Sequence, residues 1–400
     1  SLEALLRWQS AIFFFLCVSI GFLGIGRIEL PGLRLSSWSI ARTVFFFWLS
    51  WKILQGLRYG WAGLELGRIS LPPSLFALFG FVTLSLFPYF QEAGDYRYFV
   101  FAFFHSVVVA DLFRGERRAR FLLFLLGAVP AFLVVRGIAA DPSVLDLSRM
   151  VRFGYPLDHP NTAGYLFSMS IPLSLGILAH ERGWMRWAGG FSLAAQFAGL
   201  VLTYSRGAWL GCGIALIGLA LMEQRLRKGV LALAVLGLLV VAFAAPVRGR
   251  VVSFVDGLLH PDMTWRYRIM AASISLGLEN PLLGIGYGRE RLRAAVADKQ
   301  PEFFGERYIH HSHNVYTEML SGTGFLGLGA FLWLLGSTLA RLWRAEQYRS
   351  YLAASLLAFM FSGLGDVPFY HHETRIFFFT LLALCWLAPD PTRTGVLTSS

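Results

Sequence analysis

His310, His311 and His313 stand together ahead of Asn314, and an apolar run starts at Val315. Imidazole in that setting suits proton transfer. Asn314 is a plausible helix N-cap, which places His313 just before the first helical turn. The positive end of the helix dipole disfavours an imidazolium there, and a neutral imidazole accepts a proton as a general base must. Clustered histidines could instead bind metal, but their spacing lacks an i, i+4 pair or paired cysteines; a purely structural cluster is the bland alternative. Upstream, residues 247–313 carry eight arginines, Arg248 to Arg307. Guanidinium grips phosphate or pyrophosphate bidentately. The acids of this segment (Asp256, Asp262, Glu279, Glu290, Asp298, Glu302, Glu306) form no Asp-X-Asp pair, so a divalent ion lacks a carboxylate site. The expectation is a site without metal or cofactor, in which arginines stabilise a pyrophosphate leaving group.

Two further features belong with these residues. Thr203-Tyr204-Ser205-Arg206-Gly207 is a very short connection between apolar runs. Arg206 is either a snorkelling interface marker or a fixed cation aimed into a cavity, and the tight hairpin favours the second. From Trp265 to Leu278, around Arg266 and Arg268, apolar residues recur at helical spacing until Asn280-Pro281. That pattern predicts an amphipathic helix at the membrane surface. Gly284, Gly286 and Gly288 predict a flexible turn before Arg289; no strand or lysine fits a nucleotide loop.

Membrane helices must position all of this. Of 400 residues, 56% are hydrophobic and 15% charged, against about 25% charged in soluble domains. Apolar runs centre near Leu16, Phe47, Phe81, Phe104, Leu126, Ser170, Ala195, Ile214, Leu238, Leu328, Leu356 and Leu381, about twelve spans by length. The predicted fold is all-α and polytopic, one membrane domain over 1–400 with an insertion at 247–313 between the ninth and tenth spans. Arginine and lysine fall on alternate connections, such as Arg114, Arg117, Arg118 and Arg120. That places both termini in the cytoplasm and 247–313 outside. Much of the net charge of +11 is therefore topological and does not signal nucleic acid. The outer arginines break the rule, so they are expected to bind something anionic. Cys17, Cys212 and Cys385 lie in apolar runs and read as buried thiols. The first run lacks a cleavage pattern, and residues 391–400 read as a frayed end.

The ordered motifs resemble the O-antigen ligase and polymerase superfamily of bacterial envelope glycosyltransferases. They are His159-Pro160-Asn161-Thr162-Ala163-Gly164, Tyr204-Ser205-Arg206-Gly207, Arg266 before Met270, Asn280 to Gly286, His311 to Tyr316 and Gly322 to Gly327. Met270 departs from the tryptophan usual in the family. The resemblance covers roughly residues 155–335 and implies a GT-C-like enzyme of the bacterial inner membrane with a periplasmic active site. It implies a donor glycan on undecaprenyl pyrophosphate, a lipid A core acceptor and membrane lipid as surroundings. By carry-over, Arg206 and Arg266 hold the pyrophosphate and His313 activates the acceptor hydroxyl, inverting the anomeric carbon. Tyr204, Arg268, Arg289, His311 and Asn314 are expected to contact substrate. A polymerase would share the donor and differ in acceptor. A transporter of an anionic lipid-linked substrate is the alternative of another class. It would place ionisable groups at the bilayer midplane, whereas Asp111, Glu318 and Asp366 lie near span ends.

Overall fold

A backbone crossing hydrocarbon must satisfy its own hydrogen bonds, which leaves apolar runs of this length to fold as helices. The structure, a computed structural model, describes residues 12–13, 16–17, 27–30, 33–59, 71–86, 94–146, 151–157, 159–259, 265–299, 310–343 and 348–387. Most of the Leu16 run, the end at 391–400, and Asp262, Glu302, Glu306 and Arg307 lie outside the described residues. A small antiparallel hairpin, β1 (Arg27–Leu30) and β2 (Leu33–Ser36), is the departure from an all-α reading. The helices that follow are α1 (Ser37–Tyr59), α2 (Pro73–Leu86), α3 (Gly94–Leu112), α4 (Glu116–Ala128), α5 (Ala131–Ala140), α6 (Pro160–His180), α7 (Gly183–Leu202) and α8 (Arg206–Met222). Then come α9 (Arg227–Phe243), α10 (Ala245–Leu259), α11 (Trp265–Glu279), α12 (Arg289–Lys299), α13 (Val315–Trp343), α14 (Arg349–Ser362) and α15 (His372–Leu387).

The protein is a helical membrane protein. Four helical stretches among the described residues are long and apolar enough to cross a bilayer: 116–140, 160–180, 224–243 and 315–343. Every other run centre except Leu16 also falls inside a described helix, though α2 and α8 are shorter and apolar. The apolar surface has the same meaning. On α9, Leu231, Leu238 and Phe243 are exposed, the last at 84%, and such faces are stable against lipid rather than water.

The 116–140 stretch is broken by Pro130, between α4 and α5. The helix break frees the Gly127 and Ala128 carbonyls. Ser174 Oγ (2.6 Å), Ser192 Oγ (2.9 Å) and Gln196 Nε2 (2.7 Å) donate to the first, and Ser192 Oγ (3.2 Å) to the second. This buried polar cluster contains no ionisable group and serves the broken backbone, as hydrocarbon requires.

α6 is the buried centre. His159 Nδ1 accepts from the Asn161 N–H (3.1 Å) and Pro160 opens the helix, both start signals at a helix N-terminus. α8 lies close against α14 because Gly211 has no side chain: a Cβ there would stand 2.5 Å from the Ala358 carbonyl oxygen. This approach brings the start of α8, with Arg206, alongside the connection that follows α14.

α11 spans the predicted helix, burying Ile269, Ala272, Leu276 and Gly277, and a shared core with Leu292 and Val296 seats it on α12. The loop after it corrects the expected flexible turn. Ile285 N–H donates to Ser321 O (2.8 Å), Gly286 N–H to Gly322 O (3.1 Å), and Phe325 N–H to Pro281 O (2.7 Å). These bonds dock the 281–286 loop on a break in α13 at Gly324, whose φ of 66° leaves the helix. The glycine-rich loop and the Gly322–Gly327 motif are thus two halves of one contact, and the glycines permit close approach rather than mobility.

Candidate active site

The loop ahead of α13 is held from three sides. Asn314 Oδ1 accepts the N–H of Tyr316 (2.9 Å) and Thr317 (3.1 Å), so it is the N-cap its position predicts. Val315 N–H donates to Gly363 O (2.8 Å) and Asn314 Nδ2 to Leu364 O (3.2 Å), tying α13 to the connection between α14 and α15. The Glu318 carboxyl accepts from Ser312 N–H (2.7 Å) and Tyr370 O–H (2.5 Å). Between these anchors His313 adopts φ 57°, a left-handed conformation that costs on the order of 1–3 kcal/mol for a non-glycine residue. The surrounding bonds hold the ring in place against that cost.

The ring then faces Asp366, which sequence reasoning left at a span end. His313 Nδ1 lies 3.6 Å and His311 Nε2 3.5 Å from Asp366 Oδ1. The other carboxylate oxygen accepts from Tyr165 O–H (2.7 Å) and Asn161 Nδ2 (2.8 Å), and Oδ1 also accepts from Val367 N–H (2.9 Å). Burial opposes ionisation of Asp366, yet the rings of His311, His313 and His371 hold its carboxyl well below the usual carboxylate range, and hydrogen bonds to the carboxylate favour the same charged form. Burial pushes His311 down to about 3 and His371 to about 4, outweighing the pull of Asp366 in both cases. Both ring nitrogens of His313 are buried and, among the described residues, lack a hydrogen-bond partner. A buried polar atom without a partner calls for an explanation, and a catalytic role is one. Trp265 meets the His313 ring edge-on, centroids 4.9 Å apart.

Arginines from separate elements gather about Arg152, which reaches this pair through Asn161. Arg152, in the approach to α6, donates to Asn161 Oδ1 (2.8 Å) and to Thr203 O (3.0 Å). Asn161 therefore joins Arg152 to Asp366 directly. Burial first, then the charges of Arg250, Arg266 and Arg206, lower the Arg152 guanidinium to about 10. Arg206 donates to Ser253 O (3.1 Å) on α10, and Arg250 to Tyr204 O (3.3 Å); among the described residues the buried Arg250 Nε has no hydrogen-bond partner. The charge of Arg266 also acts on His159 and Tyr165. Four cations near one another repel, and an anion placed among them relieves that repulsion.

His311, His313 and Asp366 also offer three ligand atoms within 4.8 Å of one another, a set invisible to a search along 247–313 alone. Its chemistry fits proton transfer better than metal. His311 Nδ1 accepts the His313 backbone N–H (3.2 Å), so the proton of the neutral ring sits on Nε2 and points at Asp366. An Nε2 metal bond would require that proton to leave. Activity at this site is accordingly expected to survive excess EDTA; inactivation by EDTA with recovery on added manganese or magnesium would make this trio a ligand set.

Other expected site residues fall elsewhere. Arg289 is engaged by Asp95, with Nη2–Oδ1 2.9 Å and its backbone N–H on Oδ2 (2.9 Å), which ties α12 to α3. Its charge still reaches His311. Tyr204 has a backbone φ of 51° and its side chain is buried with Ala244 and Val247 in an apolar cluster, so its carbonyl rather than its ring serves Arg250. Arg268 is exposed on α11 and His310 is exposed beside the cluster. Sequence reasoning missed Arg152, Asn161, Tyr165 and Asp366 as site residues and did not single out Arg250. Asn161 stood inside a quoted motif without a role.

Residues 191–332 match the family model described as O-antigen ligase. That stretch runs from within α7 into α13 and contains Arg206, Arg250, Arg266, His311 and His313, while Arg152, Asn161 and Asp366 flank it. Among curated proteins none matches the chain. The likeness to the O-antigen ligase family is thus carried by residues 191–332, which hold three of the four clustered arginines and the histidine pair.

Proposed function

We propose that the chain is an inverting glycosyltransferase that moves an O-antigen glycan from undecaprenyl pyrophosphate to a hydroxyl of the lipid A core, without metal, at the periplasmic face of the inner membrane. The observation that carries this reading is the meeting of a buried His313–Asp366 pair with Arg152, Arg206, Arg250 and Arg266. About twelve crossings, both termini in the cytoplasm and one membrane domain over 1–400 complete the proposal. In this mechanism Asp366 holds the Nδ1 proton of His313, and Nε2 takes the proton of the acceptor hydroxyl. The acceptor oxygen bonds to the anomeric carbon from the face opposite the leaving group. The anomeric carbon–oxygen bond breaks, and its electron pair leaves with the pyrophosphate, whose charge the arginines stabilise. His313 then passes its proton to solvent.

The arginines provide the first check. Lysine keeps the charge but loses the planar fork, and charge-assisted hydrogen bonds contribute about 1.5–3 kcal/mol each. Arg152→Lys, Arg206→Lys, Arg250→Lys and Arg266→Lys should each lower transfer about tenfold or more, and paired changes should be non-additive if they grip one group. Full turnover in these variants would reduce the arginines to membrane-edge markers. For the reaction itself, purified protein is incubated with carrier-linked glycan and either lipid A core or a second carrier-linked glycan, in EDTA. Product on lipid A core supports the ligase; chain extension on the carrier would mean a polymerase; neither product, with donor crossing a vesicle membrane, would mean transport.

A further inference from the structure

α9 stands off from α7 and α8, leaving an apolar cleft of about 410 Å³. That volume lies within the range of small-ligand sites, about 300–1,000 Å³. Trp209, Gly213 and Leu216 of α8 line it at successive turns, Gly237 of α9 faces into it, and Val247 of α10 contributes to its wall. Leu238, which also lines it, is 68% exposed, so the cleft opens toward the surrounding lipid. Its position is informative. Trp209 is one helical turn from Arg206, and Val247 is three residues from Arg250. The cleft thus begins at two of the arginines proposed to hold pyrophosphate.

We infer that this cleft receives the polyprenyl tail of the pyrophosphate-linked donor, an inference that rests on the proposed transfer reaction. An amphiphile whose anionic head sits at Arg206 and Arg250 must lay its hydrocarbon beside them, and the apolar lining starts there. Moving a chain from lipid into an equally apolar cleft gains little hydrophobic free energy. The benefit is positional: a seated tail fixes the head, and with it the anomeric carbon, in register with His313.

Gly213 and Gly237 make the inference testable, because a Cβ at either would meet nothing within 4 Å. Gly213→Trp and Gly237→Trp should fill the cleft without a first-atom clash. In nanodiscs, full-length protein is supplied with one glycan carried either on a long polyprenyl pyrophosphate or on a short, single-isoprenoid pyrophosphate. The variants should lose about tenfold to a hundredfold in kcat/KM for the long donor, while the short donor changes less than about twofold. Gly336→Trp, on the exposed side of α13 and also free of neighbours within 4 Å, should leave the ratio of the two donors unchanged. If the cleft variants treat both donors as wild type does, the cleft holds only bilayer lipid and the inference fails. If wild-type protein turns over neither donor, the transfer reading fails instead. Should the tryptophan variants not insert, a photoreactive polyprenyl pyrophosphate bound to wild-type protein should label α8 and α9 at the cleft; label confined to other helices would overturn the assignment.

Discussion

Replacing His313 by alanine is expected to reduce glycan transfer about 100-fold to 10,000-fold, the range for loss of a general base, with membrane insertion and donor binding intact. The size of the effect follows from position. The two ring nitrogens of His313 are buried without hydrogen-bond partners among the described residues, and the residue is held at φ 57° by a cap, a backbone tie and the Glu318 carboxyl. Alanine removes the imidazole without disturbing any of those bonds, since all run through the backbone of residue 313 or through its neighbours. Folded yield should therefore stay near wild type. A variant that transfers glycan at the wild-type rate would remove His313 from the chemistry and make His311, with its Nε2 3.5 Å from the same carboxylate oxygen, the next candidate.

What could be read from the sequence divides along the range of the interactions. Asn314 as a cap and the helix from Trp265 depend on neighbours within a turn or two, and both were legible. The 247–313 stretch was legible as a charged interruption because charge in an apolar chain is conspicuous at any range. Asp366 was not, because its significance lies in partners from α6 and from the loop before α13, and two helices separate it from His313 along the chain. The same holds for Arg152, whose bond to Asn161 becomes part of the site only once Asp366 is in place. Taken locally, the glycines at 284–288 signal freedom. Their tertiary partner, the break at Gly324, turns them into a docking surface. Helix length set another limit. The run centres fall in helices, yet many of these helices are shorter or more polar than a simple span, and neighbours such as Ser174 and Gln196 satisfy a broken one.

Asp366→Asn carries the other large expectation, and it separates positioning from mere packing. Asparagine matches aspartate in shape, so the contacts to Tyr165 and Asn161 can be kept by the amide oxygen. The amide nitrogen then faces the histidines, where it can only donate. His313 Nδ1 must accept from it, which moves the ring proton to Nε2 and leaves the base with nothing to accept a hydroxyl proton. A comparable carboxylate-to-amide change in a Ser-His-Asp site costs about 10,000-fold in kcat by the same reversal, so a loss of about 1,000-fold or more is expected here. The KM for donor should move little, because the arginines are untouched. Combining Asp366→Asn with His313→Ala should be no worse than the stronger single change, as groups acting as a unit are non-additive. A structural role predicts the opposite pattern: reduced yield, additive losses and a turnover per folded molecule close to wild type. Asp366→Ala supplies the contrast, since it strips the partner from Asn161 and Tyr165 in a buried site and should lower folded yield, at a cost of about 1–3 kcal/mol for each polar group left unpaired. Turnover per folded molecule, measured for both variants beside wild type, decides between the two roles.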